Sequence, residues 1–124
     1  MGNLRFQKIE RLNRKKIMEE LFEKGSSFLS FPLKLIFLPH PDSAQPVHQV
    51  LITAPSKIFK KATDRNTIKR RVREGYRLNK ALLSASPTLC IAYIYIAKEI
   101  LPSATIHKSI RASLERLNNY EKKN

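Results

Sequence analysis

The alternation of apolar and polar positions divides the chain into six segments. Ile17, Met18, Leu21 and Phe22 recur at the spacing of one helical face. This predicts a helix from Arg14 to Lys24, capped by Asn13 and ended by Gly25. Leu33 to Leu38 is a strand by composition. The turn-forming run Pro39-His40-Pro41-Asp42-Ser43-Ala44-Gln45-Pro46 leads to a second strand, Val47 to Thr53, expected to pair with the first in antiparallel fashion. A second helix is predicted from Thr63 or Asp64, either of which can cap it, to Leu83. Ser84-Ala85-Ser86-Pro87 breaks that helix. Thr88 to Ala97 is almost continuously apolar, the mark of a central strand covered on both faces. Pro102-Ser103 opens a last helix whose core face is Ile106, Ile110, Leu114 and Leu117. Residues 1–12, basic and irregular, and residues 119–124 are expected to be loosely held. Further short strands near Phe28 or Ile58 fall below what such a pattern resolves. The order helix, strand, strand, helix, strand, helix describes an α+β fold, one domain over residues 1–124 with helices packed on a single sheet.

Composition narrows the class of partner. The hydrophobic fraction of 42% supports a packed core, so the high charge does not mean disorder. A net charge of +14 makes nucleic acid the leading partner and an anionic membrane surface the second. No apolar stretch approaches the roughly 20 residues of a membrane span. The N-terminus lacks a signal-peptide core, and Phe6 stands where myristoylation requires Ser or Thr. A cytoplasmic protein that neither crosses a membrane nor acts on a small molecule is expected. The single cysteine, Cys90, lies in the apolar run and reads as a small buried hydrophobe.

Charge is also concentrated. From Lys57 to Arg77 there are nine Lys or Arg residues against two acids, Asp64 and Glu74, which is half of the chain's net charge in one segment. On a helix advancing about 100° per residue, Arg65, Asn66, Lys69, Arg70, Arg73 and Arg77 share an arc of about 140°. Ile68, Val72 and Leu82 fall outside that arc, with Gly75 and Asn79 among them, and Leu83 returns to its edge at the bearing of Arg65. One face therefore goes to the core and the other presents guanidinium groups suited to bidentate phosphate contacts. A solvated charged face would normally carry acids to balance the bases, and here only Glu74 lies nearby.

The run Arg65-Asn66-x-x-Lys69-Arg70-x-x-Arg73-Glu74, preceded by Lys60-Lys61-Ala62, resembles the RNR motif of the protein component of bacterial ribonuclease P. Glu10-Arg11-Leu12, a short helix ending in Phe22-x-x-Gly25, and the order of the remaining elements are similar to the same family. The resemblance implies an α/β sandwich of the ribosomal protein S5 domain 2-like kind, with a left-handed β-α-β crossover through the motif helix. It implies a subunit that binds the ribonuclease P RNA and precursor tRNA while the RNA hydrolyses off the 5′ leader. Lys60, Lys61, Arg65, Asn66, Lys69, Arg70, Arg73 and Arg77 would then contact RNA. Met18, Phe22, Ser27, Lys34 and Ile36 would line a cleft for the single-stranded leader. Aromatic side chains are common in the family at the positions of Met18 and Ile36, so Phe31 or Phe37 could supply rings instead. Met18 and Phe22 fit plain core residues equally well. A glycine often found before the motif is replaced by Phe59-Lys60-Lys61. Mg²⁺ would be held mainly by the RNA subunit and not by the protein alone.

The residues themselves suggest no catalytic set. His40, His48 and His107 have no metal-ligand spacing, the ten acids are scattered, and no Ser–His–Asp or Cys–His constellation appears. A ribosomal or other structural RNA-binding protein of similar fold remains the alternative, and a protein-only nuclease a third.

Overall fold

The computed structural model describes residues 6–42, 46–84 and 88–121. Helix α1 spans Lys15–Lys24, strand β1 Ser26–Ser30, β2 Leu33–Pro39 and β3 Gln49–Thr53. Helix α2 spans Ala62–Asn79, β4 Leu89–Tyr95 and α3 Ser103–Glu121. Short 3₁₀ turns occupy Lys8–Glu10 and Lys80–Leu82. The expected loose ends at residues 1–5 and 122–124 lie outside the described residues, as do Ser43–Gln45 of the proline-rich loop and Ala85–Pro87 after the second helix.

The sheet order is β1-β2-β4-β3, with β2 antiparallel to β4 and β3 parallel to it. The expected pairing of the second and third strands does not occur, because β4 lies between them. The reason is burial. β4 is the most apolar strand, with six of its seven residues buried, so it takes a central place and its neighbours flank it. Helix α2 then links the parallel pair β3 and β4, closing a β-α-β unit. The strand near Phe28 that the pattern could not resolve forms as β1, pairing Ser26 with Phe37 and Ser30 with Leu33. Its three serines hid it. Ile58 instead sits in a turn closed by bonds from the Ile58 and Phe59 amides to the Pro55 carbonyl.

The two faces of the sheet carry separate cores. On one, Phe28, Leu33, Leu35, Val50, Ile91, Tyr93 and Tyr95 pack with Ile68, Val72 and Tyr76 of α2 and with Ile106, Ile110, Leu114 and Leu117 of α3. On the other, Ile36, Cys90 and Ala92 pack against Ile17 and Leu21 of α1 and against Leu12. The molecule is a helix–sheet–helix sandwich, in agreement with the α+β expectation. Cys90 is fully buried, and desolvation pushes its thiol up to about 11.

Two glycines mark close approaches. A Cβ on Gly25 would stand 2.5 Å from the Leu21 carbonyl oxygen and 2.7 Å from Ile36 Cγ2. Gly25 thus ends α1 because the chain must press onto β2; its φ of −70° needs no left-handed conformation. A Cβ on Gly75 would stand 2.5 Å from Ile110 Cδ1, so Gly75 lets α2 and α3 touch.

Several local expectations are corrected. Helix α1 starts at Lys15, with Arg14 and not Asn13 at its N-cap, and α2 starts at Ala62 with Lys61 at its N-cap. Thr63 and Asp64 therefore lie inside the first turn, where Asp64 still favours the positive end of the helix dipole. Leu82 is exposed in the 3₁₀ turn that follows α2, because the change of helix type rotates it off the core face. Residues 6–12 are docked, not loose. Glu10 is 4% exposed, accepts a 2.8 Å bond from the Gln7 amide and pairs with Lys80 at 2.8 Å. Leu12 donates its amide to the Val50 carbonyl at 3.0 Å. Residues 119–121 continue α3.

Candidate nucleic-acid interface

Helix α2 presents its core face as Ile68, Val72, Gly75 and Tyr76, all buried. Tyr76 falls beside the basic positions on the wheel, yet its ring is buried against Phe6 and Tyr93. An aromatic ring is long enough to turn back into the core from the border of a helical face. Desolvation pushes the phenols of Tyr76 and Tyr93 up, so both stay neutral.

The cations predicted to bind RNA divide into two groups. The side chains of Lys60, Lys61, Asn66, Lys69, Arg70 and Arg73 make no hydrogen bond or ion pair with another described residue. Lys60, Lys61, Asn66 and Arg70 are exposed, and Lys69 and Arg73 half-buried. Arg65 and Arg77 are already engaged. Arg65 Nη1 donates to the Phe59 carbonyl at 2.7 Å and the Lys60 carbonyl at 3.0 Å. It therefore clamps the loop that delivers Lys60 and Lys61. Arg77 Nη2 donates to Glu74 Oε1 at 2.7 Å, and that bond holds the Glu74 carboxyl below its ordinary range. Arg71, also in the basic segment, points the other way and donates to the Leu101 carbonyl at 2.7 Å.

Of the residues predicted to form the leader cleft, Ser27, Lys34 and Ile36 share the sheet face that α1 partly covers. Met18 packs against the core on that face, whereas Phe22 lines a recess made by α1 residues. Ser27 on β1 pairs with Ile36 on β2, and Ile36 with Ala92 on β4, so these side chains share one face. The next row on that face is Leu29, Lys34, Ile94 and Thr53. Helix α1 is only ten residues long and seats Ile17 and Leu21 over Ile36, Cys90 and Ala92. Leu29 stays 61% exposed, and Lys34, Ile94 and Thr53 stay half-buried. Met18 packs against the core edge, whereas Phe22 is 48% exposed beside Lys15, Glu19 and Glu23. The two residues left undecided by spacing differ in depth, Met18 packing partly into the core and Phe22 standing as a surface ring, and both line one recess on α1. Ile36 is buried under α1. Of the possible substitute rings, Phe31 is 68% exposed in the β1–β2 turn. Phe37 faces the other core, edge-on to Phe28 at 5.9 Å, and is excluded from the cleft.

Pattern reading missed Arg11 and Phe6, which line a recess with Asn66, Lys69 and Arg73 of α2. Both lie in a segment without periodicity, so only their docking reveals them. His40 and His48 serve structure. His40 Nδ1 accepts the Asp42 amide at 3.0 Å and its Nε2 lies 2.7 Å from Gln49 Oε1, while His48 Nδ1 accepts the Leu89 amide at 2.9 Å. Among the described residues no three His, Cys, Asp or Glu side chains gather as a metal-ligand set, and no helix is long and apolar enough to cross a membrane.

An α/β sandwich with one open cationic helix face and a half-bare sheet face fits a nucleic-acid-binding protein. Comparison with known proteins carries this further. A sequence model of the Ribonuclease P family matches residues 6–118, and the chain belongs to that family. It is 30% identical over 115 residues to the ribonuclease P protein component of Porphyromonas gingivalis, covering 89% of this chain and 84% of that one. The fold is similar to the RNase P protein of Thermotoga maritima, with a TM-score of 0.71, 26% identity, and coverage of 86% of this chain and 96% of that one. It is also similar to the Staphylococcus aureus RNase P protein, with a TM-score of 0.72 at 20% identity, covering 87% and 94%. The chain is thus a ribonuclease P protein component, a partner of the ribonuclease P RNA.

Proposed function

We propose that this subunit lets a catalytic RNA cut the 5′ leader from precursor tRNA as an endoribonuclease, by hydrolysis that leaves a 5′-phosphate. The observation that carries this reading is the array on α2 and its preceding loop. Lys60, Lys61, Lys69, Arg70 and Arg73 make no hydrogen bond or ion pair with another described residue, which leaves them available as phosphate ligands. Each neutralised phosphate releases counterions, so binding weakens steeply with salt. On the α1 side, Phe22 offers a stacking ring, Ser27 a hydroxyl and Lys34 a charge beside the half-bare sheet. This suits a single strand whose bases are unpaired. The chemistry belongs to the RNA in this reading, with Mg²⁺ held mainly by RNA phosphates. The protein lowers the repulsion between the RNA subunit and precursor tRNA.

The test mixes the purified protein with the ribonuclease P RNA of its organism and a precursor tRNA at low Mg²⁺. Cleavage at the mature 5′ end should rise well above that of the RNA alone. No gain over RNA alone overturns the proposal, and cleavage by the protein without RNA would assign the chemistry to the chain itself.

A further inference from the structure

We propose that the recess between Arg11, the outer edge of β3 and helix α2 receives an unpaired nucleotide of the RNA partner. Arg11 would supply a phosphate contact from outside the basic helix. The inference rests on the reading of α2 as an RNA-binding face. The recess has a volume of about 350 Å³ and is lined by Phe6, Arg11 and Leu12, by Val50 to Ile52, and by Asn66, Lys69 and Arg73.

Its construction follows from the edge of the sheet. β3 ends the strand order, and the N-terminal segment runs alongside it through one bridge, Arg11 to Val50. That bridge fixes the Arg11 backbone while its side chain remains exposed. Asn66, Lys69 and Arg73 follow one another at helical spacing and form the facing ridge. Between these polar walls the lining is apolar, from Leu12, Val50, Leu51 and Ile52. Phe6 is held edge-on to Tyr76, with ring centroids 5.9 Å apart and an interplanar angle of 81°. Among the described residues no carboxylate lines the recess. The side chains of Arg11, Lys69 and Arg73 make no hydrogen bond or ion pair with another described residue.

Cations on two sides call for a polyanion, and the shape selects which part of it. A paired helix is convex and meets the exposed Lys60, Lys61 and Arg70 from outside. An apolar recess with an aromatic ring and an amide at its rim fits a base that has left its stack, its phosphates reaching the flanking cations.

Binding of the full chain to its ribonuclease P RNA is measured over a range of salt concentrations for Arg11→Ala, Arg11→Gln, Arg70→Ala and Arg73→Ala, with the Arg11/Arg73 and Arg11/Arg70 double variants. Chemical probing of the RNA runs in parallel. Both Arg11 variants should weaken binding roughly fivefold near physiological salt and lower the log–log salt slope by about 0.7 to 0.9. Their melting temperatures should stay unchanged. Arg11 and Arg73 should couple while Arg11 and Arg70 add independently, and one unpaired nucleotide should lose its protection. Unchanged affinity and protection in both Arg11 variants, with Arg70→Ala still weakening binding, overturns the recess and leaves the α2 reading intact. No effect of any variant overturns both.

Discussion

Helix α2 and helix α1 lie on opposite faces of the same sheet, and their outer surfaces are built in opposite ways. On α2, Lys69, Arg70 and Arg73 make no ion pair with another described residue, and Glu74, which follows Arg73, is bonded to Arg77 at 2.7 Å. On α1 the exposed ring of Phe22 sits among Lys15, Glu19 and Glu23. The first surface attracts any polyanion from a distance. The second has little net charge to offer and, in the proposed function, would act by contact through the Phe22 ring and the half-covered strip of sheet. The difference teaches that long-range attraction for a phosphate backbone is built into the α2 face, whereas the α1 face offers only short-range contact. A phosphate backbone is drawn to α2, and only bases gain anything at α1.

The contrast can be broken most forcefully from the α2 side. Replacing Arg70 and Arg73 together by alanine should lower the log–log salt slope of RNA binding by about 1.4 to 1.8, two phosphate contacts' worth, with little change in melting temperature. An unchanged slope would mean that these side chains point away from RNA. Next in size is Gly25→Ala, which drives a methyl group into the Leu21 carbonyl and Ile36. Overpacking of this kind costs about 1–3 kcal/mol, read by denaturant unfolding, and it should impair leader binding more than RNA-subunit binding. Phe22→Ala should cost under about 1 kcal/mol in stability, because the ring is half in solvent, while a lost stacking contact weakens leader affinity by about 1–3 kcal/mol. A stability loss of roughly 3–5 kcal/mol would instead place Phe22 in the core.

Two smaller effects sharpen the comparison. Arg65→Ala should flatten the salt slope less than Arg73→Ala does, since the Arg65 guanidinium already bonds the Phe59 and Lys60 carbonyls. Its larger effect should be faster proteolysis of the loop it clamps. The last concerns pH. Burial lowers the pKa of His48, opposed in part by the nearby Glu10 charge. Its folded value thus lies below its unfolded one, so the unfolded chain binds the extra proton first. Stability is fully present above the ordinary imidazole range near 6.5 and declines as pH falls from there toward the depressed folded value. Melting scans of wild type and His48→Gln should diverge in that window, and parallel curves would show that His48 does not contribute.

Much of the fold was legible because it rests on short-range periodicity. The spacing of Ile106, Ile110, Leu114 and Leu117 identified the buried face of α3, and all four are at most 1% exposed. The almost continuous apolar run from Thr88 to Ala97 identified a strand covered on both sides, which forms as Leu89–Tyr95. What escaped was long-range. Nothing in the residues of β2 and β3 says that β4 will insert between them, since insertion depends on which strand gains most from burial on both faces. Strand β1 escaped because Ser26, Ser27 and Ser30 mask its alternation, and it forms on the edge of β2. In the candidate site, spacing found the cationic arc but could not separate Arg65 and Arg77, which bond to protein, from Lys69, Arg70 and Arg73.

By itself the sequence determined the charge, the one-sided helix that concentrates it, and the family to which its motif points. Those are properties of neighbours within a few turns of helix. The tertiary structure alone decided which cations remain free, that Phe22 faces solvent while Met18 packs against the core, and that Arg11 joins Lys69 and Arg73 around one recess. Each depends on contacts between residues distant in the chain, where burial and the need to satisfy polar groups determine where a side chain ends.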